Sequence, residues 1–223
     1  MKVLILCLIT LLKLSKYVES VSVHCVFEDD YFGYRCNVKD FKIISKDDRT
    51  ITEVTGDHLS GRNHSDVKYF YSQENTIKFF PLKIADFFMN LDHVLIFTAT
   101  LSEIHSSDLK QFGEKLKGIW LDNNEIEYLE ADLFQFNPNL IYITFWRNKI
   151  RHIDDGTFKN LEKLIQLRFH GGNPCIDKSA STRSQVIELI LEVELKCKDF
   201  SYMMLKKYQN LMKIQLDEMV EKI

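Results

Sequence analysis

Two stretches of this chain, each 24 residues long, can be laid one under the other between residues 116 and 163. Leu116, Ile119, Leu121, Asn124, Ile126, Leu129 and Phe134 recur as Leu140, Ile143, Phe145, Asn148, Ile150, Ile153 and Phe158. Apolar residues at the first, fourth and sixth places suit a short strand that buries one face. The Asn at the ninth place suits a turn, because its side-chain amide bonds backbone groups of the loop. A single unit cannot bury its own apolar wall, so consecutive units must stack around a continuous core.

The frame extends in both directions. Upstream, Leu91, Val94, Ile96, Leu101, Ile104 and Leu109 keep it with Ala99 in place of the Asn, and Val67, Phe70, Asn75, Ile77 and Phe80 fit again. A looser unit of 26 residues begins near Phe41 and takes in Ile44, Ile51, Val54 and Leu59. Downstream, Leu164, Leu167 and Phe169 open a last strand before His170-Gly-Gly-Asn-Pro-Cys175 leaves the frame. The expected count is about five full coils and a sixth strand. The pattern resembles the leucine-rich repeat, which implies an α/β solenoid with a parallel β-sheet on its concave face.

At the amino terminus, Met1 and Lys2 precede an apolar run from Val3 to Leu12, and Val18-Glu19-Ser20 follows. A basic start, a short apolar core and a small residue at the cleavage point read as a signal peptide over residues 1–20. The run is shorter than the about 20 apolar residues that cross a bilayer, so no membrane span is expected and the product is expected to be secreted and extracellular. Losing Lys2, Lys13, Lys16 and Glu19 with the signal takes the formal net charge from −3 to −5. That sign argues against a nucleic-acid partner.

Cys7 leaves with the signal, and Cys25, Cys36, Cys175 and Cys197 remain. Four cysteines allow three pairings. Neighbouring coils place their strands about 4.8 Å apart, so five steps separate the two ends by roughly 24 Å, whereas bridged Cα atoms lie within about 7 Å. Hence Cys25 pairs with Cys36 and Cys175 with Cys197, and the same distance excludes one zinc site built from all four. Val23, Cys25 and Phe27 alternating against Tyr34, Cys36 and Val38 predict a β-hairpin that turns near residues 29–33. This hairpin forms an N-terminal cysteine cap over 21–40, ahead of repeats over 41–174.

Thr182-Arg-Ser-Gln185 has the form of a capping box and opens a helix through Val186, Ile187, Ile190, Leu191 and Val193, within a C-terminal cysteine cap over 175–198. Across 199–223, Leu205, Tyr208, Met212, Leu216, Met219 and Ile223 recur every three or four residues, an amphipathic helical tail. Such a tail either docks on the last coil or joins a homo- or hetero-oligomer.

With these caps the chain resembles the secreted, extracellular leucine-rich repeat proteins of insects over about residues 21–198. It is similar to mosquito leucine-rich immune proteins and to Toll-type and Slit-type ectodomains. Ile51-Thr-Glu-Val-Thr-Gly-Asp-His-Leu-Ser-Gly61 and Asn173-Pro-Cys-Ile176 carry the likeness. The resemblance implies protein binding, often in innate immunity, without catalysis or a cofactor. The mosquito proteins add a coiled coil and extra cysteines, whereas here the tail is short and no cysteine is spare.

Positions three, five and seven of each strand point away from the core. Position three carries Tyr69, His93, Gly118, Tyr142 and Gln166; position five carries Tyr71, Leu95, Trp120, Thr144 and Arg168; position seven carries Gln73, Phe97, Asp122, Trp146 and His170. Both tryptophans fall here, and Tyr, Trp and Arg dominate interface energetics. The expected ligand-binding face is therefore Tyr69, Tyr71, Phe97, Trp120, Tyr142, Trp146, Arg168 and His170. A protein is the expected partner, with a glycan or microbial surface molecule second. The competing account is that these rings only pack along the strand ladder.

His93 and His170 read as ordinary exposed side chains. The alternative function is an extracellular structural or adhesion protein that self-associates. No H-E-x-x-H or G-x-S-x-G grouping occurs, so no catalytic residue, metal or cofactor is expected. Asn63-His64-Ser65 makes Asn63 the candidate glycosylation site.

Overall fold

A computed structural model describes residues 21–30 and 33–198. The expected signal peptide over 1–20 and helical tail over 199–223 lie outside the described residues. Strand β1 (Val21–Asp30) runs antiparallel to β2 (Gly33–Lys39), with Phe27 opposite Cys36 and Cys25 opposite Val38. Every apolar member of the alternating set, from Val23 to Val38, faces the core. The Cys25–Cys36 disulfide joins the two strands, its Cα atoms 5.0 Å apart.

The chain continues through β3 (Lys42–Ile43), β4 (Ile51–Thr55), β5 (Tyr69–Gln73), β6 (Thr76–Ile77), α1 (Ile84–Phe87), β7 (His93–Phe97) and α2 (Ser106–Leu109). There follow β8 (Gly118–Trp120), β9 (Tyr128–Leu129), β10 (Tyr142–Thr144), β11 (His152–Ile153), β12 (Gln166–Arg168), β13 (Ser179–Ala180) and α3 (Arg183–Lys196). Nine strands make one sheet in the order β13-β12-β10-β8-β7-β5-β2-β1-β4. From β2 to β12 all neighbours are parallel and in register. This is a leucine-rich repeat solenoid. Val94, Ile96, Ile119, Leu121, Ile143, Phe145, Leu167 and Phe169 are fully buried behind the sheet, and each such side chain contributes about 1.5–3 kcal/mol of burial.

The repeated Asn residues hold adjacent coils together through their backbones. Asn124 accepts from the N–H groups of Ala99 and Leu101 at 3.1 Å and donates to the Ile96 carbonyl at 2.8 Å. Asn148 accepts from Ile126 N and donates to the Leu121 carbonyl, and Asn173 does the same with Ile150 N and Phe145 O. Asn75 bridges Phe41 N and Val38 O. Each Asn thereby satisfies buried backbone groups that the turn would otherwise orphan.

The unit expected to begin near Phe41 is corrected by the structure. The first coil takes its strand from β2, where Cys36 stands opposite Phe70 and Val38 opposite Ser72. Phe41 then occupies the place of the turn Asn, and the coil wanders before it returns at Val67. On that excursion β4 crosses to the far edge of the sheet and pairs with β1. Ile44 and Leu59, read as core, are exposed. The hairpin is thus the first rung of the sheet as well as its cap.

At the other end β13 returns antiparallel to β12, and α3 begins after Thr182, whose side chain accepts from Gln185 N. Val186, Leu189 and Val193 seat the helix on the last coil, and Cys175–Cys197 fastens it with Cα atoms 5.1 Å apart. No helix among the described residues is long and apolar enough to cross a membrane.

Candidate functional site

Because the register is unbroken, the outward positions line up in columns across the sheet. Tyr69 faces His93, which faces Gly118, which faces Tyr142. Their rings form one stack: Tyr69 to His93 at 4.5 Å, His93 to Trp120 at 5.6 Å, and Trp120 to Tyr142 at 5.8 Å between centroids. Trp120 belongs to the neighbouring column and reaches the stack by lying across Gly118. A Cβ on Gly118 would sit 2.2 Å from the indole and 2.5 Å from the His93 ring. A glycine at an outward strand position is the mark of such a close approach.

Beside this stack, Tyr71 meets Phe97 edge to face at 5.8 Å, and the Arg35 guanidinium lies 4.6 Å over the Tyr71 ring. Trp146 lies between His170, at 6.0 Å, and the guanidinium of Arg147, at 4.2 Å. Ring pairs of this kind contribute about 0.5–1.5 kcal/mol each beyond area burial.

Polar groups fix the rings in place. His93 Nδ1 is 2.6 Å from Asp92, which also accepts from Lys117 at 2.9 Å. Burial pushes the Tyr69 hydroxyl up to about 12, with the Asp92 and Asp30 carboxylates adding to the rise. Asp122 accepts from the Thr144 hydroxyl at 2.6 Å and from Trp146 N at 2.8 Å, holding the second tryptophan by its backbone. Burial nonetheless raises its affinity for a proton, against those hydrogen bonds and the Arg168 guanidinium.

The eight expected residues all project from the face opposite the core, though not equally. Tyr69 is only 8% exposed and underlies the stack. Tyr71, Phe97, Trp120, Tyr142 and Trp146 are half-buried, and Arg168 and His170 are exposed. His93, read as an ordinary exposed side chain, is a member of the stack. Arg35 was missed because β2 was read as cap alone; it stands opposite Tyr69 in the first rung. Along the turn edge an open cleft of about 460 Å³ runs beside Trp146, lined by Thr98, Asn123, Arg147, Lys149 and Gly171. Among the described residues no group of three or more His, Cys, Asp or Glu could hold a metal ion.

Asn63 is exposed on the loop that leads into β5. Its side-chain oxygen accepts from both Ser65 N, at 2.8 Å, and the Ser65 hydroxyl, at 2.6 Å.

A family profile described as Leucine rich repeat matches residues 114–173. Among solved structures, the APL1 leucine-rich repeat domain is 19% identical with a TM-score of 0.51, covering 67% of this chain and 36% of that one. The LRIM1/APL1C complex is 20% identical with a TM-score of 0.52, covering 68% and 26%. The Drosophila Toll–Spatzle complex, at 19% identity, 58% and 18% coverage and a TM-score of 0.46, is also similar. This chain therefore spans about a third or less of the length of those chains. At such identities the likeness is one of fold. No curated protein matches the sequence.

Proposed function

We propose that this chain is a secreted, non-enzymatic binding module that captures a protein on the outward, concave face of its solenoid. The observation that carries the reading is the row of half-buried rings, Tyr71, Phe97, Trp120, Tyr142 and Trp146, on a sheet face that the core does not use. Aromatic area held rigid by Asp92, Asp122 and Gly118 loses little entropy when a partner covers it, and rigid aromatic anchors are what interface hot spots are made of. Two disulfides support an oxidising, extracellular setting. The solved structures of similar fold include the LRIM1/APL1C complex. Innate immunity, which the resemblance to insect leucine-rich repeat proteins implies, is the setting proposed for this chain. Asn63, with its loop at the surface, is the proposed glycan site.

The test compares extracellular fluid captured on the native chain and on a Trp120→Ala, Trp146→Ala double variant. Retained disulfides and far-ultraviolet circular dichroism establish that the variant folds. The reading expects the captured protein to be lost from the variant and kept by Ile44→Ala, a substitution at an exposed residue away from the rings. Equal capture by all three chains would remove this face from consideration.

A further inference from the structure

Asp122 carries a charge that the chain itself does not match. The residue is half-buried, and both of its hydrogen bonds, from the Thr144 hydroxyl at 2.6 Å and from Trp146 N at 2.8 Å, fall on Oδ1. Both donors are neutral. Oδ2 has no hydrogen-bond or ion-pair partner among the described residues. Other carboxylates that hold outward side chains of this face are ion-paired: Glu28 and Asp30 share the Arg35 guanidinium, at 3.0 and 2.7 Å, and Asp92 holds the Lys117 ammonium at 2.9 Å. A carboxylate drawn out of water without a cation is costly to the fold, so a cation that reaches it from outside gains accordingly.

The face also shows which cation it accepts. Arg35, bound by its two carboxylates, lies 4.6 Å over the Tyr71 ring. Asp122 repeats that pairing of carboxylate and ring without the guanidinium. In its column across the sheet it stands between Phe97 and Trp146, and Trp120 precedes it by two residues on its own strand. A guanidinium is planar and weakly hydrated, and it stacks on a ring while donating to a carboxylate; a lysine ammonium is a compact, strongly hydrated point charge.

We propose, resting on the reading of this face as a protein-binding surface, that the partner inserts one arginine side chain, which pairs with Asp122 Oδ2 and lies against Phe97, Trp120 and Trp146. Arg168 acts on Asp122 only from beyond ion-pair distance. It is exposed, and the Gln166 amide oxygen accepts from its Nη2 at 2.7 Å. Together with Arg147 over Trp146, it makes the C-terminal side of the face positive. The arginine that fits is therefore a single one among apolar residues and not part of a basic run.

The test titrates the full chain with acetyl-Ala-Arg-Ala amide and with its citrulline twin, in which a neutral urea replaces the guanidinium. The indole N–H resonances of Trp120 and Trp146 report binding. The expected result is a saturable shift with the arginine peptide and binding at least about tenfold weaker with the citrulline peptide. Asp122→Asn keeps an oxygen for Thr144 and Trp146 N, yet it loses at least about tenfold in affinity for the arginine peptide and captures the extracellular partner correspondingly less. No saturable shift with the arginine peptide, equal binding of the two peptides, or undiminished binding to Asp122→Asn overturns the inference. Capture by Asp122→Asn that matches the native chain, while the Trp120→Ala, Trp146→Ala variant loses it, sinks the arginine and leaves the face standing. Capture that neither variant loses removes both.

Discussion

At the scale of single residues, the turn after each strand is set by one backbone angle. Asp40, Glu74, Thr98, Asn123, Arg147 and Gly171 hold positive φ, from 50° to 105°. From Glu74 to Arg147 the same N–H reaches across to the next coil, as when Thr98 N donates to Asp122 O at 3.2 Å and Asn123 N to Trp146 O at 2.7 Å. Only Gly and Asn take that conformation cheaply, and a β-branched side chain pays most. Thr98→Gly is therefore expected to stabilise the fold by about 1 kcal/mol, read as a higher urea midpoint, although it gives up an exposed bond from Asn123 Nδ2 to the Thr98 hydroxyl. An unchanged or lower midpoint would show that the turn carries no strain there. Asn148→Ala has the opposite sign: it leaves Ile126 N and Leu121 O buried without partners and should cost about 2–4 kcal/mol. The Asn column was legible because its chemistry demands one residue type. The neighbouring left-handed column was not, because backbone geometry is shared by Asp, Glu, Thr, Asn, Arg and Gly alike.

At the scale of elements, helix α2 shows what charge does on the side away from the sheet. Glu130 accepts from Ser106 N at 2.6 Å and stands 3.1 Å from His105 Nδ1, while Asp108 accepts from His105 N at 3.0 Å. The hydrogen bond to Glu130 raises His105 above its ordinary 6.5, outweighing burial. For Glu130, burial acts upward, but the bonds from His105 and Ser106 win and hold it below 4.5. A raised histidine stabilises the fold below its unfolded value and loses that contribution as pH climbs through its folded one; a depressed carboxylate contributes above its unfolded value and loses it as pH falls through its folded one. The pair is thus most stabilising between about pH 4.5 and 6.5. Melting temperatures of the native chain and Glu130→Gln should differ most near pH 5.5 and converge toward pH 3 and pH 8, and a gap independent of pH would rule out the ion pair as its source. His105 and Glu130 occupy the same repeat position, just after Ile104 and Leu129, but it is filled by unlike residues from coil to coil, which is why spacing alone did not reveal the pair. Elements that obey the period, β7 through β12, were legible from Leu, Ile and Phe placement. Elements that break it, β4 at one edge and β13 at the other, were not, since the pairing of a two- to five-residue strand is decided by which edge is free rather than by its own sequence.

At the scale of the molecule, a solenoid couples each coil to its neighbours alone, and here two ion pairs, Lys46–Glu103 and Arg49–Asp108, skip a coil. Ala99 stands where the Asn belongs, so the ladder of amides has a missing rung between the irregular N-terminal coils and the regular ones. Across that gap Arg49 of the first coil reaches Asp108 of the third at 2.6 Å, with Asp108 1% exposed, and Gln111 ties the same region by donating to Pro81 O and accepting from Ile84 N. Removing one partner of so buried a pair strands the other, at a cost of about 3–5 kcal/mol. Asp108→Ala should accordingly do more than weaken the fold: it should uncouple its halves. Both tryptophans, Trp120 and Trp146, report on the regular half, whereas far-ultraviolet circular dichroism reports on both. In urea the native chain is expected to give coincident transitions by the two probes. In Asp108→Ala the dichroism transition should begin at lower urea than the fluorescence transition, because the hairpin and β4 let go first. Two probes that shift together by the same amount would mean that the Arg49–Asp108 contact supports the whole stack evenly and that the missing rung divides nothing.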